Sequence, residues 1–335
     1  MSHFNKKILN NKTVLITGGT GSFGNYFLDI IINNFNCKKI IIFSRDEMKQ
    51  WNMRGKYEKH KNLFFIIGDV REKESLLNAF KNVDIIIHAA ATKIVPTAEE
   101  NPFECIKTNI LGAMNVVSAA IEQKVSKIVA LSTDKASSPI NLYGASKLCS
   151  DKLFVSGNFL NSNKFTKMSV VRYGNVMGSR GSVIPFFLSL KNKKILPITN
   201  IEMTRFMISL EDAVNLVLTT IETMSGGEIY VKKIPSMKVI DIAKAINPKA
   251  KFKITGIRPG EKIHEQMIGK DDAISTFEFK DYYKILPQIK KGIKKMKTGK
   301  KVKKDFFYSS DNNKEWMEVE HLANWLVKNK DNFIQ

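Results

Sequence analysis

Apolar positions in the N-terminal half of the chain follow two alternating rhythms. Short unbroken runs occupy Thr13 to Thr17, Ile40 to Phe43, Phe64 to Ile67, Ile85 to His88, Ile128 to Leu131 and Ser169 to Arg172. Between them, apolar residues recur at helical spacing, as in Phe23, Phe27, Ile30 and Ile31, over Ile106 to Ile121 and over Tyr143 to Phe154. Continuous rather than alternating hydrophobicity predicts strands covered on both faces, hence a parallel sheet between helical layers. The expected fold class is α/β, a doubly wound parallel Rossmann sheet with a smaller, discontinuous C-terminal lobe.

The rhythm changes after Val176. Short basic loops, a helix near Leu210 to Ile221 and a last strand at Glu228 to Val231 precede a mixture of short helices and loops. Residues 1–176 with about 206–231 are therefore assigned to the sheet domain. Residues 177–205 and 232–335 form the expected lobe, set over the carboxyl edge of the sheet, where such folds bind ligands. No internal repeat is apparent.

Charge brings other partners into question. Lys and Arg number 53 against 32 Asp and Glu, a net charge of +21 in 335 residues. That excess suits nucleic acid, an anionic membrane or a phosphorylated small molecule. Ten of the lysines lie in Lys284 to Lys304 without an acid, the one low-complexity stretch. It has no interleaved aromatics and no helix-turn-helix or RNA-recognition pattern, so a solvated loop is expected and a nucleic-acid partner is not. Cys37, Cys105 and Cys149 have no metal spacing and are odd in number, which suits a reducing compartment and excludes a metal site. Met1 to Lys12 lacks the apolar core of a signal peptide, and no apolar run reaches the roughly 18 residues of a membrane span. A cytoplasmic protein without membrane contact is expected.

Chemistry enters at Gly18-x-x-Gly21-x-x-Gly24, directly after a strand and opening a helix. Glycines there let the backbone of Thr20, Ser22 and Phe23 approach a pyrophosphate, whose charge the helix N-terminus favours. A tight turn alone would also use glycines; the strand and helix on either side favour a dinucleotide. Ser44-Arg45-Asp46-Glu47 ends the second run. An acid there takes ribose hydroxyls, whereas an arginine accommodates a 2′-phosphate, so NADP is favoured over NAD. Asp69 and Val70 after the third run, and Ala89, Ala90 and Ala91 after the fourth, fall beside the adenine and pyrophosphate. His88 reads as a structural residue.

Ser132 to Lys147 packs Thr133, Asp134, Lys135, Tyr143 and Lys147 into one segment at the carboxyl edge. Tyr143 and Lys147 are four residues apart, so they share a helix face and the ammonium can lower the phenol pKa. Together with the glycines, Asn109 and Arg172-Tyr173-Gly174-Asn175, this segment resembles the extended short-chain dehydrogenase/reductase superfamily. Within it the chain resembles the inverting UDP-N-acetylglucosamine 4,6-dehydratases. The resemblance rests on Gly18 to Gly24, Ser44 to Glu47, Glu104 to Ile110, Leu131 to Phe154, Val171 to Phe187, Met203 to Phe206 and Gly256 to Lys262. Other sugar-nucleotide dehydratases carry Thr-Asp-Glu where this chain has Thr133-Asp134-Lys135. Ile94 stands where the family often has a histidine, and Met207 where it has a tryptophan.

The resemblance implies a reaction and its residues. Tyr143, ionised with help from Lys147, would take the hydroxyl proton at carbon 4 while Thr133 holds the same oxygen. Lys135, neutral, would remove the carbon 5 proton and Asp134 would protonate the departing carbon 6 hydroxyl. A free lysine titrates near about 10.4 and a buried carboxyl must resist ionisation, so both roles need shifted groups. Lys147 and the nicotinamide are the expected source of the Lys135 shift; an amine simply paired with Asp134 is the plainer alternative. Lys49, Lys93, Thr108 and Tyr173 complete the cofactor set. For UDP-N-acetylglucosamine the set is Lys93, Asn175, Val176, Arg180, Gly181, Ser182, Val183, Thr199, Met203, Arg205, Arg258 and Glu261. The product would be the 4-keto-6-deoxy sugar that opens pseudaminic acid synthesis, used on flagellin, and a homo-oligomer is implied. A UDP-N-acetylhexosamine 4- or 5-epimerase, a retaining dehydratase and a non-catalytic NADP-sensing or nucleic-acid-binding protein are the rivals.

Overall fold

A computed structural model describes residues 7–160, 165–288 and 299–329. The first half alternates strands and helices: β1 (Thr13–Thr17), α1 (Ser22–Asn34), β2 (Lys39–Ser44), α2 (Glu47–Lys56), β3 (Leu63–Ile67), α3 (Lys73–Ala79) and β4 (Ile85–His88). There follow α4 (Val95–Glu100), α5 (Pro102–Ile106), α6 (Gly112–Glu122), β5 (Lys127–Thr133), α7 (Leu142–Leu160) and β6 (Lys167–Tyr173). The second half holds β7 (Asn175–Val176), α8 (Val183–Ser189), β8 (Ile195–Ile198), β9 (Thr204–Ile208), α9 (Leu210–Thr223), β10 (Ile229–Lys232), β11 (Ser236–Lys238) and α10 (Val239–Ile246). Last come β12 (Lys251–Ile254), β13 (Gln266–Ile268), α11 (Lys270–Ala273), β14 (Thr276–Glu278), β15 (Tyr282–Ile285), β16 (Lys300–Lys301), β17 (Tyr308–Ser309) and α12 (Val319–Lys328).

The main sheet runs β16-β14-β15-β10-β6-β5-β4-β1-β2-β3, and from β10 to β3 every pairing is parallel. This is the doubly wound order, with its switch point between β1 and β4. All five residues of β1 are buried, as are all four of β4. Strand β3, the last of the main sheet among the described residues, departs from the two-sided burial expected of it: Phe64 and Ile67 are 44% and 58% exposed.

Three further differences bear on the site. The helix expected over Ile106 to Ile121 is broken by a π-helical turn at Lys107–Leu111, which carries Thr108 and Asn109. Such turns concentrate at functional positions. Residues 276–285 and 300–301, assigned to the lobe, return to the main sheet as β14, β15 and β16, paired antiparallel beyond β10. Of the basic run, residues 289–298 lie outside the described residues. Its first lysine is not solvated: Lys284 is buried in β15 with Nζ 4.6 Å from the Tyr230 ring.

The lobe has its own core, in which Ile184, Phe187, Leu196, Met207, Ile242 and Leu322 meet. It is built on the three-stranded sheet β11-β9-β7. Asn175 and Val176 of β7 follow directly on β6 and pair with Met207 and Ile208 of β9, which joins the lobe to the sheet's carboxyl edge. Among the described residues, no helix is long and apolar enough to cross a membrane.

Candidate active site

The turn after β1 is shaped by its glycines. Gly18 has φ +63, and a Cβ there would lie 2.8 Å from the Ala90 backbone. A Cβ on Gly24 would lie 2.2 Å from the Gly19 carbonyl oxygen, so only glycine lets α1 start this close to the strand. The turn opens into a cleft of about 990 Å³ between sheet edge and lobe. Every cofactor and substrate residue named from the sequence borders this cleft, as do Thr133, Lys135, Tyr143 and Lys147. Asp134 does not border it and is fully buried. A cradle closed to side chains at one end, with lysines and a tyrosine at the other, fits a nicotinamide dinucleotide.

At the adenosine end, Asp46 caps α2 by accepting from the Lys49 backbone N–H at 2.9 Å. The Lys49 hydrogen bonds hold its carboxyl below the usual range. Arg45 is half-exposed, with NH1 3.6 Å from Asp69 Oδ2. His88 hydrogen-bonds Thr17 Oγ1 through Nδ1 at 2.8 Å, and burial, with Lys147 adding to it, brings its pKa down to about 3. It is a neutral structural residue, as read from the sequence.

The segment read as catalytic is held by strand β5, which extends past β4 and turns at Asp134–Ala136. Thr133 Oγ1 donates to Asp134 Oδ1 at 3.0 Å and lies in hydrogen-bond contact with Tyr143. Asn109 fixes the neighbouring walls: its Nδ2 donates to the Thr92 carbonyl at 3.0 Å and to Ser146 Oγ at 2.9 Å. Burial raises the Asp134 carboxyl, with Lys135 opposing, so it stays protonated more readily than an ordinary aspartate.

Two expected shifts come out reversed. Lys135 Nζ lies 3.1 Å from Asp134 Oδ1 and 3.0 Å from Glu265 Oε1. Burial alone would lower its pKa, but Asp134 and Glu265 outweigh that, and Lys135 is held as an ammonium rather than the neutral amine anticipated. The Tyr143 phenol is pushed up to about 12 by burial, and the lysine that opposes this is Lys135, not Lys147. Lys147 is itself buried and its pKa lowered, with Asp151 opposing.

Glu265 has no counterpart in the sequence reading. It is 2% exposed, its Oε1 faces Lys135 and Arg205, and its Oε2 is buried without a hydrogen-bond partner. Burial would raise its pKa, yet Lys135 and Arg205 bring it below the ordinary glutamate value. Its place four residues after Glu261, just before β13, was the only available signal. Lys262, also unassigned, donates to the Ser137 carbonyl at 2.9 Å and so ties the lobe to the catalytic turn.

On the nucleotide-sugar side, Glu261 collects both arginines: Arg258 NH2 is 2.9 Å and Arg205 NH2 3.6 Å from its Oε1. Arg205 is buried and donates to the carbonyls of Thr204, Lys262 and Ile263, so it builds the wall as much as it faces the cleft. Arg180, at the cleft as expected, also meets the glycine turn: its NH2 donates to the Thr20 carbonyl at 3.3 Å, while Lys93 Nζ donates to the Arg180 carbonyl at 2.9 Å. Among the described residues no acid, His or Cys cluster could hold a metal ion.

Comparison with known proteins agrees with this geometry. The polysaccharide biosynthesis protein family matches residues 14–287. A UDP-N-acetylglucosamine 4,6-dehydratase (inverting) of Campylobacter jejuni is 52% identical over 97% of this chain and all of its own. A UDP-glucose 4-epimerase of Rickettsia canadensis is 47% identical over 82% of this chain and 83% of its own. The X-ray structure of Pen from Bacillus thuringiensis superposes with a TM-score of 0.87 at 35% identity, covering 96% of this chain and 99% of that one. The chain belongs to the polysaccharide biosynthesis protein family, on the extended short-chain dehydrogenase/reductase fold, with the inverting UDP-N-acetylglucosamine 4,6-dehydratases among its relatives.

Proposed function

We propose that this protein is a lyase that dehydrates UDP-N-acetylglucosamine across carbons 5 and 6. The product is UDP-2-acetamido-2,6-dideoxy-L-arabino-hex-4-ulose, inverted at carbon 5, and the step is the first toward pseudaminic acid. The observation that carries the reading is the Asp134–Lys135–Glu265 cluster beside Tyr143. Hydride transfer from a carbinol needs only Tyr143 and Lys147; a second set of acid and base groups suits elimination next to a ketone.

NADP, when bound, supplies a hydride acceptor for carbon 4 and a hydride donor for carbon 6. The glycine turn, Arg45 and Lys49 would hold it, with Tyr173 and Lys147 at the nicotinamide end. Tyr143, once ionised with Lys135 and its Thr133 contact favouring the phenolate against burial, takes the carbon 4 hydroxyl proton, and Thr133 steadies that oxygen. Asp134, kept protonated by burial, supplies the proton for the departing carbon 6 hydroxyl across its 3.0 Å contact with the cleft-lining Thr133, whose own hydroxyl proton moves on as it does so. Lys135 faces the carbon 5 proton and takes it as one of its own protons leaves Nζ. Arg205, Arg258 and Glu261 orient the uridine diphosphate. A homo-oligomer is supported by Phe103, Leu111 and Met114, which are 75%, 45% and 47% exposed on α5, the π-helical turn and α6.

An NMR time course with UDP-N-acetylglucosamine tests the reading. Loss of one water and a carbon 6 methyl signal with inverted carbon 5 are expected. Recovery of an isomer of unchanged mass would instead establish a 4- or 5-epimerase, the activity named for the Rickettsia relatives.

A further inference from the structure

The proposed reaction gives no step to a buried acid at the cleft. Glu265 reaches the site from the lobe, borders the cleft and contacts Lys135 at 3.0 Å. Asp134, the neighbour in sequence, has no surface on the cleft. Lys135 thus stands between two carboxyls of unlike surroundings. Thr133 and Lys135 fill Oδ1 of the first, whereas Arg205 Nε stands 4.0 Å from the second. An ammonium has no lone pair, so it cannot accept the carbon 5 proton unless it first yields one of its own.

The geometry points to Glu265 as the residue that receives that proton, so that Lys135 and Glu265 act together as one base. The inference rests on the dehydratase reading. As the carbon 5–hydrogen bond breaks, a new Nζ–H bond forms on Lys135. One of the existing Nζ–H bonds breaks toward Glu265 Oε1, where an O–H bond forms, and the electron pair left on carbon 5 passes into the enolate of the 4-ketone. Lys135 is an ammonium before and after, and the carboxylate ends as a carboxylic acid. The arrangement explains how a charged lysine can stand where other sugar-nucleotide dehydratases carry a glutamate: the carboxylate is supplied from the lobe. Glu265 acts through Lys135 and is a positioning and relay residue.

Glu265→Gln keeps an oxygen for Lys135 to donate to but cannot hold the proton. Wild type and variant are compared in deuterium oxide by mass spectrometry for carbon 5 exchange, with nicotinamide absorbance reporting carbon 4 oxidation. Loss of carbon 5 exchange by roughly 100-fold or more is expected, the scale of a removed general base, with carbon 4 oxidation and UDP binding retained. The rate of the variant should climb with pH through the alkaline range, since Lys135 must then lose its proton to solvent, and Glu265→Asp should recover part of the exchange. Carbon 5 exchange in E265Q at the wild-type rate overturns the relay, as does loss of UDP binding and carbon 4 oxidation together, which marks a structural role. Absence of water loss in the wild type itself overturns the dehydratase reading and the relay with it.

Discussion

Arg180 NH2 donates to the Thr20 carbonyl oxygen at 3.3 Å, so a loop of the lobe is fastened to the glycine turn after β1, the turn proposed to hold the cofactor. Gly178 and Gly181, at φ +72 and +74, let the chain reverse on either side of that contact. Lys93 adds a second tie from the sheet side through the Arg180 carbonyl. A cofactor that ends each turnover as it began is best retained, and on the proposed reading this strap would slow its release. Arg180→Ala is expected to speed cofactor loss by about tenfold, the scale of one hydrogen bond to a charged group. Nucleotide content after gel filtration, with wild type run beside it, checks this; equal retention would dismiss the strap.

Arg45 is the residue on which a preference for NADP over NAD is expected to turn. Its guanidinium is tethered to Asp69 at 3.6 Å and half-exposed, which leaves it able to turn toward a 2′-phosphate, while Asp46 is already engaged with Lys49. Arg45→Ala should weaken NADP by about tenfold to a hundredfold, the range of a charge-assisted hydrogen bond, and leave NAD nearly unchanged. Titration calorimetry with both nucleotides measures the ratio.

The strand–glycine–helix order and the Tyr143–Lys147 spacing were legible because local periodicity determines them. The strand β1 and the strand β4 have the bounds read from their apolar runs. Glu265 was not legible, since its contact with Lys135 is made by tertiary folding and no local motif surrounds it. The charge of Lys135 was misread for the same reason: a pKa depends on which groups fold against it, and the second carboxylate comes from the lobe. Strands β14 to β16 were missed because they are two to four residues long, and β15 and β16 carry lysines, a pattern that resembles a loop.

Arg172 and Asp151 form a buried pair at 3.0 Å between β6 and α7, one turn beyond Lys147. Arg172 NH1 also donates to the Met267 carbonyl at 2.7 Å, which carries the pairing into the lobe. Arg172→Met leaves the Asp151 charge without its partner and should cost about 3–5 kcal/mol. Adding Asp151→Leu should recover much of that loss, because the cost lies in the unpaired charge rather than in the missing bond. Urea unfolding of the two variants separates these effects; no recovery would place the cost in packing or in the Met267 contact.

His88 makes stability fall on mild acidification. In the fold its pKa is brought from 6.5 down to about 3, chiefly by burial. Protons therefore bind the unfolded chain more readily than the native one throughout that interval. The native state keeps its full advantage above about pH 6.5, and loses about 1.4 kcal/mol for each pH unit as the solution is acidified toward 3. Carboxylates with lowered values, such as Glu261, add to the loss only at the acid end, below their ordinary titration near 4.5. Between pH 6.5 and 5 the decline should thus come from His88, with Asp134, whose carboxyl burial raises, acting in the opposite sense because its native form takes up a proton first. Denaturation midpoints taken across that range should decline in wild type and flatten in His88→Gln, whose amide can still meet Thr17 Oγ1. An equal slope in the variant would assign the acid sensitivity to another group.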